Sequence, residues 1–448
     1  MNTICSNLSS KMIFISFYKT PKPLFGINLN NSSFALDFMI QLLKNSLITF
    51  ILCLSVSYSS AQILTKEDSL SAGLTGRTNN YSALSGYGEA KVNYDLRSKT
   101  GTANLTRNVL FFGHKFSNTI YFFSEMEIEN AKVTGGGKGE ISMEQLFLKF
   151  NINPSNYVTA GLFIPRIGLI NENHLPTTFN GNDRPTVERL VIPSTWREIG
   201  ISYYGSSINI RGLNYSASIF NGLNSQNFEF GNGIREGRME GSMAPASNIA
   251  VSAALLYYIG HFRLQYSTYF GGSAGLDKIA SDSLKLNNGM FGTPIHLNEA
   301  NLRFSNNLFE FKALIAVINI PNAKKINNAY HSNMSQIIYG GYFEAGLHLL
   351  QMLNNNNKKV LTIFSRIETL DLNYKIPDNA IKDNFQSKLI SVSGITFVPA
   401  NGIAIKADYV WQKTGNYNST LHSTNPTNPY RPFHKTNHYI NIGLAYSF

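Results

Sequence analysis

The sequence predicts an all-β fold, a transmembrane antiparallel β-barrel of about sixteen strands with short turns at one end and long loops at the other. Three observations carry that prediction. Only 15% of the 448 residues are charged and 12% are aromatic, whereas an ordinary soluble domain has about 25% charged residues. Apolar and polar residues alternate with period two in segment after segment, the lipid-out, lumen-in signature of barrel strands. Past the N-terminal region, no apolar run approaches the roughly 20 residues of a transmembrane helix.

The one concentrated apolar run covers residues 46–56, with Lys44 before it and Ser59-Ser60-Ala61 after it. A positive end, a short apolar core and a small-x-Ala site make a signal peptide. Met39 would place this signal normally, so residues 1–38 read as a mis-assigned upstream extension and 39–61 as the signal. Cleavage after Ala61 leaves 448 − 61 = 387 residues and removes Cys5 and Cys53. That excludes disulfides, thiol nucleophiles and cysteine metal sites. Leu52 stands where a lipobox has Gly or Ala, which argues against lipidation at Cys53. The remaining charge is (38 − 4) − (27 − 1) = +8, a balance that suits anions or anionic head groups. Pairs such as Lys324-Lys325 and Lys358-Lys359 read more simply as loop and turn lysines. Nucleic acid is not an expected partner, since no recognition motif is present.

Residues 62–83 read as a short periplasmic segment and 84–448 as the barrel. The expected strands are 84–97, 103–116, 118–130, 140–152, 155–165, 196–204, 208–220, 248–259, 261–271, 295–305, 308–319, 336–350, 359–370, 387–398, 402–413 and 437–448. The last is the clearest: Ile440, Ile442, Leu444, Tyr446 and Phe448 share one face, and Asn441, Gly443, Ala445 and Ser447 the other. An aromatic residue after such alternation resembles the assembly signal of outer-membrane proteins. In the first strand Ala90, Val92, Tyr94 and Leu96 oppose Glu89, Lys91, Asn93, Asp95 and Arg97. The third places Glu125, Glu127 and Glu129 opposite Met126 and Ile128, and the fourth places Lys149 opposite Leu148 and Phe150. The stretches 104–116 and 249–258 are apolar on both faces, as subunit-contact strands would be. Gaps such as Asn153-Pro154, Gly260 and Asn306-Asn307 are tight, while most alternate gaps are long. That two-beat rhythm is the periplasmic-turn, surface-loop asymmetry of membrane barrels. Sixteen strands enclose an aqueous lumen, whereas eight are filled by side chains.

The longest connection, 166–195, holds Arg166, Glu172, Asp183, Arg184, Glu188 and Arg189, and Arg197 and Glu198 open the next strand. Such a loop either stays solvated outside or folds inward, where its charges restrict the bore and set a transverse field. Gly161-Leu-Phe-Ile-Pro-Arg-Ile-Gly-Leu-Ile-Asn-Glu172, Asp183-Arg-Pro-Thr-Val-Glu-Arg189 and Arg197-Glu-Ile-Gly200 together resemble the central signature of the phosphate-selective porin O and P family. The resemblance covers about 40 residues (161–200) and departs from the pattern at Arg166-Ile167, where the family has Phe. It implies a sixteen-stranded homotrimeric porin with this loop folded into the pore, Asp183, Glu188, Arg189, Arg197 and Gly200 falling on motif positions. The family's arginine ladder has no counterpart here. The lumen-facing charges Lys91, Lys149 and Arg263 are mixed with Glu89, Glu125, Glu127 and Glu129, so phosphate specificity does not carry over.

Several motifs are set aside. The 135–139 glycine run lacks the Gly-Lys-Ser/Thr ending of a phosphate loop. His434 and His438 have no second ligand pair, and Trp196 and Trp411 fit an interfacial girdle. The expected function is passive diffusion of small hydrophilic or charged solutes through the outer membrane with weak ion selectivity, without cofactor or metal and without catalysis. The alternatives are a surface-interaction or structural barrel, and a barrel enzyme.

Overall fold

The computed structural model describes residues 80–134, 137–287, 289–418, 420–421 and 434–448. The expected extension, signal peptide, most of the periplasmic segment and part of the glycine run lie outside them. Within them, sixteen strands form one closed antiparallel barrel in which every strand pairs with its sequence neighbours and β1 pairs with β16. The first half is β1 (Tyr81–Asp95), β2 (Thr100–Lys115), β3 (Ile120–Glu129), β4 (Glu140–Asn153), β5 (Asn156–Phe163), β6 (Glu198–Ser206), β7 (Leu213–Asn221) and β8 (Ile249–Ile259). The second half is β9 (Phe262–Gly271), β10 (Ile295–Ser305), β11 (Phe309–Asn319), β12 (Ile337–His348), β13 (Val360–Lys375), β14 (Ser387–Val398), β15 (Ile403–Thr414) and β16 (Thr436–Ser447).

Closure leaves no unpaired strand edge, which is what allows a sheet to sit in lipid. At the seam Gly86 and Phe448 exchange backbone hydrogen bonds of 3.2 and 2.9 Å. The outer face carries the apolar set of each alternation: Ile201, Ile219, Leu255, Ile367 and Ile442 all stand exposed there. This apolar girdle and the strand topology are those of an outer-membrane barrel.

Three expectations need correction. First, β1 begins at Tyr81, inside the segment read as periplasmic, and β7 begins only at Leu213. The alternation of Ile208 and Ile210 imitated a strand, but both are exposed in the β6–β7 turn, where Ser207 N–H bonds the Leu213 carbonyl at 2.8 Å. Second, the inner face of β8 (Ala250, Ala254 and Leu256) is buried inside the barrel, with Ala250 in an internal core beside Ile192, Tyr269 and Leu297. Its inner apolar face serves that core. Third, Trp196 is no girdle residue: it is wholly buried in the same core, its Nε1–H donating to Glu198 at 3.0 Å. The lumen is therefore partly filled with apolar side chains, against the expectation of a wholly aqueous one.

Candidate functional site

The connection 164–197, between β5 and β6, lies inside the barrel. Where it leaves the wall, Gly161 and Gly200 stand opposite each other in register. A Cβ on Gly200 would lie 2.1 Å from the Ile219 carbonyl oxygen and one on Gly161, at φ +139°, 2.3 Å from that of Leu146. Neither position admits a side chain without moving backbone. From there the loop runs inward because it is itself amphipathic. Ile167, Val187, Val191, Ile192 and Trp196 are fully buried, packed with Leu314, Ile338 and Leu370 of the wall. Each such side chain contributes about 1.5–3 kcal/mol on burial. A short helix, α1 (Thr186–Leu190), is part of this surface.

Polar anchors then tie the loop to the wall on several sides. Glu299 of β10 accepts from Gly168 N at 3.0 Å. Asp408 of β15 accepts from Asn182 N and Nδ2 at 2.7 and 2.6 Å. Glu368 of β13 accepts from Val187 N at 3.1 Å, and Lys406 of β15 donates to the Gly181 carbonyl at 2.9 Å. The next long connection, between β7 and β8, clamps the loop from one end: Arg235 and Arg238 donate to the Arg189, Pro193, Ser194 and Thr195 carbonyls at 3.0–3.4 Å.

The expected site residues occupy separate places along this path. Glu172 bridges Arg166, at 3.5 Å, and Arg263 of β9. Asp183 pairs with Lys91 of β1. Arg184 donates to the His174 carbonyl at 3.4 Å. Glu188, on α1, turns back to accept from Leu169 N and Ile170 N at 2.9 and 2.6 Å and from the Tyr342 hydroxyl at 2.6 Å. Burial raises the Glu188 carboxyl from 4.5 to about 7, against the lowering effect of those donors. Arg189 is exposed. Arg197 leaves the group and bonds Glu240 of the β7–β8 connection at 2.6 Å.

Of the lumen-facing set, Glu89 and Glu127 meet Arg107 of β2 at 2.9 and 3.2 Å, so a neighbouring cation offsets part of the glutamate run. Glu125 accepts from Tyr87 at 2.7 Å. Lys149 stacks 4.0 Å from the Tyr157 ring, and Glu129 is half-buried at the end of β3. His438 bonds the Tyr409 hydroxyl at 2.6 Å.

Sequence reasoning missed an arc of charges on the other wall. Lys312, Glu344, Arg366 and Glu368 form a chain of ion pairs of 2.8–3.0 Å across β11, β12 and β13. Of these, Lys312, Glu344 and Arg366 line a small cleft open to solvent, together with Arg263, Arg303, Phe179 and Pro185. The signal was available in the alternation Arg366, Glu368 against Ile363, Ile367. It also missed Glu144 and His174, which meet at 3.5 Å.

The chain is 28% identical over 346 residues to an uncharacterized protein of Aquifex aeolicus (strain VF5), covering 73% of this chain and 75% of that one. Among solved structures it resembles Salmonella typhi OmpF in complex with daunomycin, with a TM-score of 0.53 at 11% identity over 83% of this chain and 98% of that one. It also resembles a loop L8 deletion mutant of OmpT, an outer membrane protein of Vibrio cholerae, with a TM-score of 0.50 at 8% identity over 83% and 100% of the two chains. No family model matches. At such identities the likeness to the solved structures is one of fold, that of the outer-membrane barrel.

Proposed function

We propose that the chain is an outer-membrane porin, a passive diffusion channel for small hydrophilic or charged solutes whose bore is set by the 164–197 loop. The observation that carries this reading is the course of that loop: it crosses the inside of a closed sixteen-stranded barrel and leaves an open cleft lined by both signs of charge. Bore and field together decide which solutes pass such a channel. The mixed signs favour weak ion selectivity. Arg303 has no ion-pair partner among the described residues, so a modest preference for anions follows. Residues 166, 172, 183, 184, 188, 189 and 197 act in this reading through the loop's shape more than as one charged ring.

The resemblance of 161–200 to the phosphate-selective porin O and P family supports the inward loop and, by itself, a homotrimer. Phosphate specificity is no part of the proposal, because Glu172, Glu310, Glu344 and Glu368 stand among the cations of the cleft. A surface-interaction barrel is the poorer reading, since it would use this loop outside. Reconstituted into planar bilayers, the folded chain is expected to give steady, roughly ohmic conductance. Arg303→Glu and Arg189→Glu should each move the reversal potential in a salt gradient toward cations. Folded protein that never conducts overturns the proposal.

A further inference from the structure

We propose that Glu125, Glu144 and His174 form a binding site for one divalent first-row transition cation, joining the inward loop to the β3–β4 wall. Glu125 and Glu144 come from the wall and His174 from the loop, and all three are buried. One oxygen of each carboxylate and one imidazole nitrogen lie within 4.8 Å of one another. His174 Nε2 is 3.2 Å from Glu125 Oε1 and 3.5 Å from Glu144 Oε2. Ligands bound at about 2.0–2.2 Å to a tetrahedral ion are about 3.3–3.6 Å apart. Two of the triangle's three edges already have the length of a coordination face, and the third is no longer than 4.8 Å.

Glu144 reaches this point by a local departure from strand geometry. In the β3–β4 ladder Glu125 pairs with Gln145 and Met126 with Met143, so Glu144 is the extra residue of a β-bulge. A bulge re-aims a side chain. Here it turns Glu144 inward, where plain alternation with exposed Leu146 would send it to lipid.

A second set of observations points to a cation. The Tyr87 hydroxyl, with one hydrogen, faces Glu125 Oε1 at 2.7 Å and Glu144 Oε2 at 2.9 Å. His174 Nε2, with one hydrogen at most, faces the same two oxygens. Glu144 Oε1 accepts no hydrogen bond, although Glu144 is 0% exposed. Glu127 stands within hydrogen-bonding reach of that carboxyl. Buried carboxylates short of donors need either protons or a cation. An imidazole among the ligands favours zinc, copper, iron or nickel over calcium, magnesium and manganese, which prefer oxygen sets.

The inference is independent of whether the barrel conducts. The test strips the folded full chain with a chelator in detergent and titrates it with zinc chloride by calorimetry, with calcium chloride in parallel. Crystals soaked in zinc are then read by anomalous scattering at the zinc edge. One zinc per chain, between His174 and the two carboxylates, is expected, with calcium bound at least tenfold more weakly. Glu144→Gln, whose folding is checked by heat-modifiable migration, should weaken zinc at least tenfold. His174→Gln gives the same reading should that variant not fold. Zinc at other histidines only, zinc unaffected by either variant, or no zinc at all overturns the proposal and leaves a buried ion cluster.

Discussion

Substituting Gly443 by alanine should release the tip of the inward loop without touching it. Gly443 faces inward on β16 and is not in a left-handed conformation, so alanine adds no φ strain, though its Cβ would sit 3.1 Å from the Ala90 carbonyl oxygen. A Cβ there would lie 2.1 Å from Asn182 Oδ1 and 3.2 Å from its Cγ. The carboxamide must move, and moving it breaks the 2.6 Å bond from Asn182 Nδ2 to Asp408. A hydrogen bond to a charged group contributes about 1.5–3 kcal/mol. At about 1.4 kcal/mol per tenfold, the loop tip should open roughly 10–150 times more often. Hydrogen exchange reads this directly, because the Asn182 amide is itself bonded to Asp408 at 2.7 Å and exchanges only when the tip opens. Asn182→Ala removes both the obstructing oxygen and the same bond, so adding Gly443→Ala to it should change exchange little further. The reasoning fails if Gly443→Ala exchanges like the parent protein, or if its effect persists in full beside Asn182→Ala.

Two further outcomes follow from the loop and the wall. The folded pKa of Glu188 lies above its unfolded value, at about 7 against 4.5. Its contribution to loop docking is thus complete below pH 4.5 and lost as pH rises through 7, on the order of 1–3 kcal/mol. Protease cleavage within 164–197 should quicken between pH 5 and 8, and Glu188→Gln should flatten that rise; a profile identical in the variant refutes the assignment. On the outer face, Ile442→Arg should cost about 2–4 kcal/mol in lipid, and Ile208→Arg in the β6–β7 turn less than about 0.5 kcal/mol. Urea unfolding in vesicles would measure both, and equal costs would argue that β16 does not face hydrocarbon.

The barrel was legible because lipid enforces one rule at every strand: Ile440, Ile442 and Leu444 must point out, and Asn441 and Gly443 must not. Sixteen repetitions of that rule survive local errors such as the false start at Ile208. The interior obeys no single rule, which is why the site was read only in part. Glu144 breaks the alternation by a bulge, so counting by twos from Leu146 assigns it to lipid. His174 lies in an irregular stretch of loop, and nothing in sequence places it beside β3. The apolar residues of 187–192 have helical spacing too short to separate from chance, yet they carry the charges Asp183 and Glu188 to different strands of the wall. Their pull explains why each of the loop's acids also reaches a strand: Asp183 meets Lys91, Glu172 meets Arg263 as well as Arg166, and Glu188 meets Tyr342. A loop held by its own core has little freedom to swing aside for a solute. In the proposed channel, selectivity would therefore belong to the charges on β9 to β13 that line the cleft, more than to the loop residues.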